Sequence, residues 1–95
     1  MTNQEFQTKL QNTISEHPIF KHDDGKLTVN ELVYLLRIYF DVDYSISTNN
    51  GWCIPSVREV FIPCEMLARK VVNIVYEENE FEGEYYPTIL VDLAD

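Results

Sequence analysis

The segment TVNELVYLLRIYF, residues 28–40, does most to limit what this chain can fold into. Thr28 and Glu31 have capping-box spacing, in which each side chain satisfies a backbone N–H that a helix start leaves unpaired. Behind the cap, Leu32, Leu35, Leu36, Tyr39 and Phe40 share one wide apolar face, and Val33 and Ile38 extend it. A helix with so broad an apolar face belongs at the centre of a core. A second helix precedes it. Thr2 and Glu5 repeat the capping box, and Phe6, Leu10 and Ile14 at steps of four give a narrower stripe suited to the surface of the domain. Pro18 ends that helix, because the residue before a proline is pushed out of helical geometry.

After Asp41 the period changes. Val42, Tyr44 and Ile46 alternate onto one face, and TNNG is a turn signal. WCI and REVFI read as further strands broken by Pro55 and Pro63, so residues 42–62 predict strand–turn–strand. Residues 64–76, CEMLARKVVNIVY, suit a helix through Met66, Leu67, Lys70, Val71 and Ile74, or a strand through VVNIV. A short third helix near 64–69 followed by a strand satisfies both patterns. YYPTILVDL is a closing strand with its proline near the beginning. Trp52, beside the turn, is expected to close one end of the core. A chain of 95 residues with 45% hydrophobic content has room for one modest core. The expectation is a single acidic α+β domain over 1–95, with two N-terminal helices packed on a small, mostly antiparallel sheet of three to five strands.

Charge narrows the function. Sixteen acids against seven bases give a formal net charge of -9, which repels nucleic acid and anionic membranes and attracts basic proteins. No run approaches a membrane span of about 18 apolar residues, and no charged-then-apolar leader opens the chain. Cys53 and Cys64, with ten residues between them, do not make a disulfide framework, which favours reduced thiols and a cytoplasmic setting.

The acids are unevenly placed. After Lys70 there is no base, while YEENEFEGEYY, residues 76–86, holds Glu77, Glu78, Glu80, Glu82 and Glu84 among aromatics. This stretch joins two expected strands, 70–78 and 85–93, as the end of a hairpin. In extended chain, Glu78, Glu80, Glu82 and Glu84 would project to one side at steps of roughly 7 Å, a spacing similar to the repeating charge of a nucleic-acid backbone. Phe81, Tyr85 and Tyr86 would add flat apolar contacts, Asp41 and Asp43 would extend the negative surface, and Asp92 and Asp95 would add field. Gly83 is the residue that could turn the chain before the row is complete, and a solvated acidic loop is the plainer alternative.

DDGKLTVNEL resembles the second half of an EF-hand calcium loop: Asp24, Gly25, Leu27 and Glu31 fall at a ligand, the turn glycine, the loop hydrophobe and the closing acid. The first half departs from that family, with Phe20 and His22 at the opening ligand positions, and losing two oxygen ligands abolishes useful calcium affinity. A turn followed by an N-capped helix accounts for the same residues without a metal. His17 and His22 match no zinc spacing with the distant cysteines, Ser45 and Ser56 lack a nucleophile elbow, and three glycines build no phosphate loop. The chain therefore reads as a binding protein without cofactor and not as an enzyme.

Its expected role is a small acidic inhibitor that blocks a basic, nucleic-acid-acting protein such as a nuclease. In size and charge it is similar to phage anti-defence proteins and to immunity proteins against nuclease toxins. The alternatives are a small structural or regulatory subunit bound through an apolar helix face or edge strand, and a degenerate EF-hand-like domain. An uncovered strand edge would also permit a homodimer.

Overall fold

Both capping boxes form and set where the helices begin. Thr2 Oγ1 accepts the Glu5 N–H at 3.1 Å and Glu5 accepts the Thr2 N–H, which starts α1 (Asn3–Glu16). Thr28 and Glu31 exchange the same pair of bonds at the start of α2 (Val29–Tyr39). The computed structural model describes residues 1–58 and 68–94. His17 leaves helical geometry ahead of Pro18, which opens a single 3-10 turn, Pro18–Phe20. Replacing Thr28 by alanine removes an acceptor from the first turn of α2. The expected cost is about 1 kcal/mol of unfolding free energy, read from urea denaturation.

Four strands follow: β1 (Ser45–Thr48), β2 (Cys53–Ile54), β3 (Val71–Phe81) and β4 (Glu84–Leu93). They form one sheet in the order β2-β1-β4-β3. The β1–β2 and β3–β4 pairings are antiparallel, while β1 runs parallel to β4 with Ser45 opposite Thr88 and Thr48 opposite Val91. The molecule is thus α+β as expected, with a mixed sheet. The predicted strand over REVFI and the short helix near 64–69 fall wholly or largely at residues 59–67, outside the described residues.

One face of the sheet meets the helices. Ile46, Ile54, Tyr76, Ile89, Val91 and Leu93 join Phe6 and Leu10 of α1 and the apolar face of α2 in a single buried cluster. Phe6 is its hub, with ring centroids 5.3 Å from both Phe40 and Tyr76 and 5.9 Å from Tyr44. Leu32, Leu35, Leu36 and Phe40 are buried as the helical spacing predicts. Three expectations fail at the margins. Ile38 on α2 and Val42, at the turn out of α2, lie exposed, the latter because β1 begins only at Ser45. Trp52 is also exposed, since it leaves the turn ahead of β2, which begins only at Cys53.

The outer edge of β3 is partly sealed by α1. Asn3 Oδ1 accepts the Tyr76 N–H at 2.8 Å, and Gln7 Nε2 donates to the Ile74 carbonyl at 2.5 Å. One turn of helix thereby satisfies two backbone groups that an edge strand would otherwise leave to solvent. Among the described residues, no helix is long and apolar enough to cross a membrane.

Candidate functional site

β3 and β4 run well past the helices. At about 3.3 Å per residue β3 is roughly 36 Å long, and only its first half lies over the core. Every residue from Glu77 to Tyr86 is exposed on both faces of the ribbon, making a two-stranded arm. Hairpins without a third strand or a covered face are only marginally stable, so what keeps the arm paired matters.

The turn is Glu82–Gly83, with φ of 54° and 81°. Two successive positive values are what a two-residue type I′ turn requires, and the twist of that turn matches the strands it joins. Glycine meets the requirement at no cost, whereas glutamate at position 82 does so under strain. Behind the turn, Phe81 pairs with Glu84, Glu80 with Tyr85 and Asn79 with Tyr86. Tyr86 Oη donates to Glu84 at 2.8 Å, and Asn79 Nδ2 donates to Thr88 Oγ1 at 3.2 Å. Changing Glu82 to asparagine, which tolerates this conformation, should stabilise the arm by about 1 kcal/mol relative to Glu82→Gln. The comparison with Gln cancels the lost charge; slower amide exchange at Asn79 and Phe81 is the readout.

This turn breaks the row of carboxylates expected from the sequence. Glu78 and Glu80 share the sheet face that continues over the core, together with Tyr85. Glu77 and Glu84 lie on the opposite face with Phe81 and Tyr86, and Glu82 sits in the turn itself. The extended-chain spacing holds for Glu78 and Glu80 only, because the chain reverses at Gly83 before Glu84 is reached. Negative charge is instead spread around the end of the arm. Phe81 is 64% and Tyr85 68% exposed, so each presents most of its ring to solvent on its own face.

Asp41 and Asp43 lie in the segment that leads into β1. The parallel register of β1 against β4 sets the approach to β1 at the end of the sheet from which the arm springs. Asp43 is committed locally: it accepts the Ser56 hydroxyl at 2.5 Å and the Arg58 N–H at 3.3 Å. Asp92 lies at the other end of β4, beside Asn73, and Asp95 falls outside the described residues.

Glu78 differs from the other arm glutamates. It accepts the Tyr76 hydroxyl at 2.6 Å and lies 3.3 Å from the Met1 ammonium. The Tyr76 hydroxyl, followed by that ammonium, holds its carboxyl below the usual range. Burial first, and then Glu78, push the Tyr76 phenol up. Glu84 likewise raises the Tyr86 phenol through their hydrogen bond. Glu77, Glu80 and Glu82 make no side-chain hydrogen bond among the described residues, which leaves them available to a partner.

The EF-hand-like segment is occupied by local bonding. Asp24 Oδ1 accepts the Lys26 N–H at 3.0 Å and its Oδ2 lies 3.5 Å from Lys70 Nζ; the Lys26 bond leads in holding this carboxyl below its usual range. Glu31 caps α2 and lies 2.6 Å from His22 Nε2. Burial alone would raise the Glu31 carboxyl, but the Thr28 N–H, His22 and the Thr28 hydroxyl together bring it below the usual range. Its two oxygens thus serve a helix cap and a hydrogen bond with His22, which stands at the position where a calcium loop needs an oxygen. His17 stacks on Tyr39 with centroids 4.2 Å apart, well occupied as an aromatic neighbour. Among the described residues, no three His, Cys, Asp or Glu side chains converge as a metal would need.

No family model, no curated protein and no solved structure matches this chain.

Proposed function

We propose that this protein is an acidic inhibitor whose β3–β4 arm occupies the basic surface of a nucleic-acid-acting protein, such as a nuclease, in the cytoplasm. The observation that carries this reading is the arm itself: ten successive exposed residues, five of them glutamate, built as a paired ribbon with exposed Phe81 and Tyr85. Fields of this kind speed encounter with a basic partner, and aromatic side chains supply close contact once it is met. The resemblance in size and charge to anti-defence and immunity proteins adds an analogy of type only. Capture from the native host's lysate at low and high salt tests it. The expected result is a basic, nucleic-acid-handling protein held at low salt and released by added DNA.

A partner held equally at both salts and indifferent to DNA would overturn this reading. It would favour the second one, a small structural or regulatory subunit, which draws on the exposed Tyr34 and Ile38 one turn apart on α2.

A further inference from the structure

The edges of the arm are not equivalent. Antiparallel pairing turns the N–H and C=O of alternate residues toward the partner strand and of the others outward. On β3 the outward set is fixed by two observed bonds, Gln7 to the Ile74 carbonyl and the Tyr76 N–H to Asn3. The same set continues through Glu78 and Glu80. Among the described residues no hydrogen bond reaches their outward backbone groups, because α1 seals the edge only as far as Tyr76. On β4 the corresponding outward positions are Tyr85 and Pro87, opposite Glu80 and Glu78. Proline offers no N–H, so the β4 side of the arm cannot complete a ladder. One edge of the hairpin is covered at its base, one is blocked on the arm, and the segment Glu78–Phe81 is open.

Taking the arm as the binding element proposed above, we infer that the outer edge of β3 at Glu78–Phe81 receives an extended strand of the partner, one with lysine or arginine at every second position. Strand addition gives affinity through the backbone and selects side chains at alternate positions. Incoming residues opposite Glu78 and Glu80 would lie on the same face as those carboxylates, about 5 Å away at Cβ, where opposite charge stabilises and like charge does not. The Met1 ammonium resting on Glu78 is the contact a lysine of that strand would reproduce. A second copy of this chain is the poorer occupant. Antiparallel pairing of two such edges would set Glu78 and Glu80 against their own counterparts.

The test uses the intact protein and two short capped peptides of equal composition, one alternating lysine with threonine and one with its lysines in a block. With the alternating peptide, the Glu78 and Glu80 amides should exchange with deuterium about tenfold more slowly, as expected for one new hydrogen bond apiece. The block peptide should leave them unchanged. Glu80→Pro should abolish the protection, since it removes an outward N–H that the β3–β4 ladder does not use; unaltered exchange at Val75 and Leu90 would show that the sheet persists. If both peptides bind alike and neither slows exchange at Glu78 and Glu80 in the unaltered protein, strand addition is wrong. A DNA-released basic partner in the lysate capture would leave the inhibitor reading standing in that case. Protection by the alternating peptide without any such partner would uphold the edge and sink the inhibitor reading.

Discussion

Lysine in place of Glu77, Glu80 and Glu82 should slow association with the proposed basic partner by about a hundredfold at low salt, and by much less once salt screens the arm. These three are chosen because no side-chain hydrogen bond ties them into the structure among the described residues. Glu78 is left in place, since its removal would strip the Tyr76 hydroxyl of its acceptor and confuse a binding effect with a folding one. Dissociation should change less than association, because steering acts mainly on encounter. Rates measured across a salt series decide it. An unchanged association rate in the triple variant would mean that the glutamates only keep the arm solvated.

The second large effect is internal. Phe6→Ala should cost about 3–5 kcal/mol, a major part of the roughly 5–15 kcal/mol that holds a domain of this size together. The ring is fully buried and packs against Phe40, Tyr44 and Tyr76 together, so its loss leaves a hole between helix, loop and sheet. The damage should not stop at packing. With α1 loosened, Asn3 and Gln7 would lose their hold on Ile74 and Tyr76, and the base of β3 would become an uncovered edge. Denaturation midpoints give the first effect, and amide exchange at Tyr76 gives the second. Loss of less than about 1 kcal/mol would mean that the cluster closes over the gap.

The helices and the hairpin could be read from the sequence because their signals are local. Two capping boxes, a proline stop and a broad apolar face need no knowledge of the rest of the chain. The reversal at Gly83 was harder to place. A glutamate in the first turn position carries none of the Asn-Gly or Asp-Gly character that marks such turns, so extended chain and tight turn could not be separated. Val42 misled for a different reason: alternation shows which residues share a face, but not where the strand begins. Trp52 misled because a large aromatic beside a turn is more often buried than exposed. The parallel pairing of β1 with β4 was beyond reach, since register between segments more than forty residues apart leaves no local mark. The unequal edges of the arm belong to the same class. Pro87 matters there only because of the residue it faces.

Carrying the acidic surface on a ribbon that stands clear of the helices has a consequence for how such a protein can change over generations. Exposed positions away from caps and packing usually tolerate substitution within about half a kcal/mol. Residues Glu77 to Tyr86 can therefore be rewritten, one side chain at a time, with the core beneath left as it is. Glu78, which holds the Tyr76 hydroxyl, and the turn positions 82 and 83, whose positive φ suits few residues, have less of that freedom. A lineage pressed to follow a changing adversary would find in this layout a recognition element that can drift quickly and a scaffold that need not.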